Sequence, residues 1–212
     1  MFVMRHFSKL AVLSALAVAS ASCGDVARSG RSPVYLVIDS ITAVAGGSSS
    51  TTPAGFLQSD VLRLVTTPDP CTTTAPCPTI YNDTGTATFH LALKDIGSAT
   101  TPTSPSSNNQ VTITRYHVSY RRADGRNTQG VDVPYAFDGA GTLTVPIGNA
   151  ASLGFELVRH VAKAESPLVQ LVNNATIITT IADVTFYGQD LVGNEIQASG
   201  SIQVDFGNFG DR

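Results

Sequence analysis

The chain of 212 residues has no tryptophan, three cysteines and a charged fraction of only 14%. Each shortage excludes something. Without an indole, the large core volumes fall to nine phenylalanines and six tyrosines. Three cysteines allow one intramolecular disulfide and leave one thiol over. Soluble domains usually carry about a quarter charged residues. Lysine occurs only as Lys9, Lys94 and Lys163, and the formal net charge is −3. A chain so poor in positive charge is not built to neutralise a phosphate backbone, which excludes nucleic acid as a partner. No apolar run reaches membrane-spanning length. The longest, Leu10 to Ala19, rises about 15 Å as a helix against a hydrocarbon core of about 30 Å. No G-x-S-x-G, H-E-x-x-H, glycine-rich phosphate loop or C-x-x-C occurs, so no catalytic or cofactor motif is expected.

What is there begins with the leader, "MFVMRHFSKLAVLSALAVASASCGD". Arg5, His6 and Lys9 make a basic start, the short apolar run follows, and Ala19 to Ser22 are small. That order reads as an export signal over residues 1–22. The segment resembles a bacterial lipobox, in which a cysteine after small residues receives lipid on its thiol; Ala21 and Ser22 fit, while Ser20 stands where an aliphatic residue is usual. The resemblance implies that Cys23 is lipidated, becomes the first residue of the mature chain and anchors the protein to a membrane. Gly24, rather than an aspartate, follows the cysteine, which by the same resemblance implies the outer membrane. Residues 23–33 then serve as a flexible tether, since "GDVARSGRSP" is polar with two glycines and a proline. Removing Arg5 and Lys9 with the leader leaves 11 basic against 16 acidic side chains, a net charge of −5.

Cys71 and Cys77 lie in "PDPCTTTAPCP". In an oxidising exported compartment they are expected to form a disulfide. A metal site would need two further ligands, and His90 offers no partner motif.

The body from residue 34 to 212 reads as one domain. Its 24 threonines, with abundant valine, serine and glycine, favour strands and turns. Alternation predicts strands within 34–46, 56–65, 86–95 and 111–122. Residues 131–147 read as a hairpin around Asp138–Gly141. Residues 152–162 fit a strand through Phe155 and Leu157, or a helix through Leu157, Val158, Val161 and Ala162; the strand is preferred. Two β-rich runs, 176–190 and 195–207, flank "LVGN" as a hairpin. Loops rich in Ser, Thr and Pro separate the strands, notably 97–110. With no helix reliably between consecutive strands, the expectation is an all-β sandwich of two antiparallel sheets.

The closing hairpin, with Val184, Phe186, Asp190, Gly193, Asn194, Ile196 and Ile202, is similar to the last two strands of bacterial immunoglobulin-like and fibronectin type III-like domains. The likeness implies a sandwich in which Tyr116 or Tyr120 replaces the usual core tryptophan. It also implies that the 97–110 loop and the Asp190–Asn194 turn share a pole as a contact surface.

The candidate binding residues are therefore Asp190 and Asn194, with a basic stripe of Arg115, His117 and Arg121 on one strand face. The stripe suits acidic glycans or a partner protein, or is simply a solvated face. Asp138 and Asp190 in glycine-containing turns suggest calcium less well than turn chemistry. His90 and His117 fall opposite the apolar residues, as solvated histidines do. The leading expectation is a membrane-anchored, non-enzymatic binding or structural module of the cell envelope, with an envelope protein or glycan as partner and no cofactor. One alternative is a carbohydrate-binding module displaying Tyr81, Tyr135 and Tyr187. The other is a hydrolase with dispersed residues, which requires a pocket holding a histidine and two carboxylates.

Overall fold

The computed structural model describes residues 31–48, 52–104 and 106–209. The expected leader (1–22), Cys23 and the tether up to residue 30 lie outside the described residues. Among the described residues ten strands run in chain order: β1 (Val34–Val44), β2 (Phe56–Asp60), β3 (Arg63–Val65), β4 (Cys77–Thr79), β5 (Asp83–Leu93), β6 (Val111–Arg121), β7 (Phe137–Val145), β8 (Ala151–Val158), β9 (Ile178–Asp190) and β10 (Glu195–Gly207). Described helix is limited to one turn, α1 (His160–Lys163), and 3-10 turns at Ser107–Asn109 and Leu168–Asn173. The described residues are mostly strand, consistent with the expected all-β class.

One sheet has the order β1-β5-β8 and the other β2-β10-β9-β6-β7, while β3 and β4 form a small ribbon. The pairs are antiparallel except one, so the wholly antiparallel arrangement needs correction. Phe56 to Asp60 of β2 lie parallel to Gln203 to Gly207 of β10. The cause is the path of the chain. After β1 it loops back and re-enters as β2 on an edge of the other sheet, running in the same sense as β10. The segment 56–65, expected as one strand, thus divides between the large sheet and the ribbon.

Alternation sets which side chains enter the core. In β5, Ala87, Phe89 and Leu91 are buried; in β9, Ala182, Val184 and Phe186. In β6 a bulge between Ile113 and Arg115 shifts the period by one residue. Val111 and Ile113 therefore point inward together with Tyr116, Val118 and Tyr120. The two sheets meet in an aromatic cluster. Phe89 and Phe155 come from the smaller sheet, Phe186 and Tyr116 from the larger. Phe186 packs edge-on to Phe89 at 4.9 Å and to Phe155 at 5.3 Å between centroids. Tyr116 packs on Phe155 at 5.3 Å. The tyrosine hydroxyl accepts a bond from the Glu156 N–H at 3.1 Å.

Two local readings change. Residues 137–145 form one continuous strand and no hairpin at Asp138–Gly141. Gly139 is a close-approach residue: a Cβ there would collide with the Tyr116 ring. Glycine was present for packing, not for a turn. Residues 152–162 divide, with strand to Val158 and one helical turn after it. The closing hairpin and the Cys71–Cys77 disulfide are present as expected. The disulfide closes the loop leading into β4, and chain-entropy reasoning assigns so short a loop about 2 kcal/mol.

The interior also holds one ion pair that the alternation pattern does not announce. Lys163 of α1 and Asp83 of β5 are both fully buried, with Nζ 2.9 Å from Oδ2 and 3.0 Å from Oδ1. The Ser59 hydroxyl of β2 donates to Oδ2 at 2.6 Å and the Gly46 N–H to Oδ1 at 2.7 Å. Three separate segments are thereby tied to one carboxylate of β5. Close by, the Tyr120 hydroxyl donates to the Leu157 carbonyl at 2.5 Å. Burial, with the Asp83 charge, pushes the Tyr120 phenol far above its usual range.

Candidate functional site

Three regions hold polar chemistry, and the expected site residues fall in two of them. The first is the outward face of the large sheet. Arg115, His117 and Arg121 alternate outward from β6, as their spacing requires. The neighbouring strands set acids against them. Asp138 of β7 lies 3.6 Å from Arg115 and 3.2 Å from His117. Asp183 of β9 lies 2.6 Å from Arg121 and also accepts from Ser201. Arg115 further stacks on the Tyr187 ring at 3.7 Å. Beyond the strand end, Arg122 and Arg126 both donate to Asp124. Burial works to raise the Asp183 carboxyl, but hydrogen bonds from Arg121 and Ser201 outweigh it and hold it below its ordinary value. Asp124 is held far lower, chiefly by Arg122 and then Arg126. The stripe is therefore a mosaic of paired charges, with little net field to draw an acidic ligand.

The second region is the β9–β10 turn. Asp190 is buried, and both its oxygens are occupied. Oδ1 accepts the N–H groups of Val192 at 3.1 Å and Asn194 at 2.8 Å, while Oδ2 accepts the Asn194 side-chain amide at 2.7 Å. The Gly193 N–H bonds to the Asp190 carbonyl at 3.0 Å. Gly193 takes φ +83°, which suits glycine alone. Asp190 and Asn194 thus build the turn; their polar groups face each other. The 97–110 loop does share this pole, because Val111, which follows it, pairs with Asp190.

Burial pushes the Asp190 carboxyl up, yet bonds from Asn194, Val192 and Ser32 together hold it below its usual value. The sign of the linkage follows. The stabilisation is complete above the unfolded carboxylate pKa of about 3.9 and is lost as pH falls through the lower folded value. Asp190→Ala is expected to cost about 1–3 kcal/mol, because it strands the turn N–H groups. In urea melts the gap between wild type and variant should be constant from pH 5 to 7 and narrow below about pH 4. An undiminished gap in acid would show that the carboxylate charge contributes nothing.

The third region is a cleft of about 640 Å³ between β7 and β8, where the two sheets part. Tyr116 and Phe155 line it, with Gly85, Gly139 and Gly154 leaving room, and Glu156 and Arg159 stand at its rim. Arg159 is held by the Asp138 carbonyl at 2.6 Å and stacks on Phe137 at 4.0 Å. Glu156 accepts from Asn82 at 2.7 Å. Sequence reasoning missed this site, since its aromatics read as core and its glycines as turns. The lining has one carboxylate and no histidine, short of what a dispersed hydrolase site requires.

The remaining candidates scatter. Tyr81 packs against Gly46 and Gly47, and Tyr135 against Gly130, while Tyr187 lies under Arg115. His90 and His117 sit on outward faces, bonded to Asp39 and Asp138. His160 bonds to Asn82 at 2.8 Å. Among the described residues no group of three His, Cys, Asp or Glu side chains could hold a metal ion. No protein-family model matches the chain, and no curated protein is similar to it in sequence.

Proposed function

We propose that the protein is a cell-envelope lipoprotein, cut before Cys23, lipid-anchored there in the outer membrane, and carrying an immunoglobulin-like sandwich as a non-enzymatic binding or spacing module. One observation carries the reading most directly. Cys71 and Cys77 are bonded to each other, so Cys23 has no partner within the chain. An odd cysteine in an exported protein calls for another chemistry, and its position behind the small residues of the leader supplies lipidation. The strand order supports the immunoglobulin-like part. The first strands divide between the two sheets, β1 beside β5 and β2 beside β10, so both layers of a sandwich are engaged from the start of the domain. The charge-paired sheet face around Arg115, His117 and Arg121 is offered to a partner protein as a shaped polar surface rather than a charged one.

Intact-mass spectrometry of the purified native protein tests this. The expected species begins at Cys23, carries acyl chains and lacks two hydrogens for the Cys71–Cys77 bond. A chain that retains residues 1–22 and bears no lipid overturns it.

A second reading, a carbohydrate-binding module, is favoured by the cleft alone. A carboxylate and a guanidinium at the rim of a concave cleft are groups that hydrogen-bond a sugar. A glycan array should then give signal that Glu156→Ala abolishes; silence on the array removes this reading.

A further inference from the structure

The hydrogen bonds at the start of β1 fix where the chain enters the domain. The Pro33 carbonyl accepts from the Lys94 N–H at 2.9 Å, and the Ser32 hydroxyl bonds to the Asp190 carboxylate. Val34 pairs with Leu93, and Val111 with both Asp190 and Val145. The entry point, the 97–110 loop and the β9–β10 turn therefore occupy one pole. β10 ends at the other pole, where Gly207 bonds to Val61 and α1 lies beyond the end of β8.

The entry pole carries bare apolar side chains. Leu191 and Val192 at the tip of the turn are 57% and 81% exposed, and Ile96 on the neighbouring loop is 74% exposed. Nothing in the turn requires them, because Asp190, Gly193 and Asn194 supply its chemistry. We propose that this pole is the membrane-contacting end of the domain, with Leu191, Val192 and Ile96 seated in the headgroup and acyl boundary of a phospholipid bilayer. The proposal rests on the reading of Cys23 as the lipid anchor.

Reach makes the argument directional. From Cys23 to Ser32 the chain spans at most about 30 Å whatever its conformation. A strand the length of β9, 13 residues, measures about 43 Å. With the far pole on the membrane, Ser32 would stand further from the surface than its tether extends. The far pole also exposes apolar residues, Val161 and Ile177 among them, but the anchor holds them away. At the entry pole a tether this short keeps a local concentration on the order of millimolar, which suffices to populate a weak apolar contact. Charge plays little part. Arg31 and Lys94 at this pole are matched by Asp95 and Glu195, so the contact should persist in high salt.

The test uses the full-length protein, purified with its lipid and reconstituted into phosphatidylethanolamine–phosphatidylglycerol vesicles that carry nitroxide-labelled acyl chains. A fluorophore is placed on Val192→Cys or, at the far pole, on Ala164→Cys. The expected result is strong quenching at position 192, little at position 164, and no change with added salt. A label on Ile96→Cys should also be quenched, and should lose that quenching in the Leu191→Ser/Val192→Ser variant. Equal quenching at positions 192 and 164, or none at either, overturns the proposal while an acylated mass leaves the anchor intact. An unacylated mass overturns the anchor and the proposal together. Self-association in detergent that the double serine variant abolishes assigns the pole to a second copy and likewise overturns it.

Discussion

Replacing Lys163 by methionine is expected to destabilise the protein by about 3–5 kcal/mol, because the Asp83 carboxylate is left buried without its counter-charge. Nothing else at the site replaces an ammonium. Ser59 and the Gly46 N–H donate to the same two oxygens, but neutral donors do not balance a full charge at a buried site. Asp83→Leu should cost a similar amount, since it strands the lysine. The discriminating case is the double variant Asp83→Leu/Lys163→Met. A buried pair exchanged for apolar residues of similar size is often neutral, so this variant should recover the part of the loss due to the unpaired charge, while the stranded Ser59 hydroxyl and Gly46 N–H keep it below wild type. Urea midpoints of the four proteins close the thermodynamic cycle. Strictly additive losses would show that the pair carries no mutual interaction and that packing alone is responsible. Domains of this kind are stable by only about 5–15 kcal/mol, so either single variant removes a large share of the total.

Phe186→Ala should be as severe, by a different route. The ring is fully buried at the centre of the aromatic cluster and touches Phe89, Phe155 and Tyr116. It is the point at which the two sheets interlock. Truncation to alanine removes the transfer free energy of the ring and leaves a cavity that strands on both sides cannot collapse to fill, about 3–5 kcal/mol. Phe186→Leu keeps most of the volume and should lose only about 1–2 kcal/mol, mainly the edge-on ring contacts. Calorimetric melting of both variants measures this, and equal shifts for the two would contradict the packing account.

How far the sequence discloses this molecule depends on how local each determinant is. Period-two alternation in β5 and β9 is a property of adjacent residues, so those strands, their inward faces and the closing hairpin were legible. The bulge in β6 was not, since the shift between Ile113 and Arg115 arises from pairing with two neighbours. Gly139 is a further case: read alone it signals a turn, and only the Tyr116 ring beside it shows why no side chain fits. The parallel β2–β10 pair depends on the path between the sheets, which no local pattern encodes. At the candidate sites the outward direction of Arg115, His117 and Arg121 followed from alternation. Their neutralisation by Asp138 and Asp183 depends on cross-strand register and was beyond reach. Asp190 and Asn194 were recognised as turn residues, yet the same chemistry that made them visible uses up their polar groups. The cleft was illegible because it exists only where the edges of the two sheets separate.

The parallel pairing also governs the order of assembly. Phe56 lies beside Gln203, so β2 is delivered by synthesis long before its partner exists. Contacts so distant in sequence are paid for late and form slowly. Until the last strand arrives the five-stranded sheet lacks its penultimate member, and β2 waits with its backbone unpaired. A chain that emerges N-terminus first is thus committed to holding an open, adhesive edge until β10 is released.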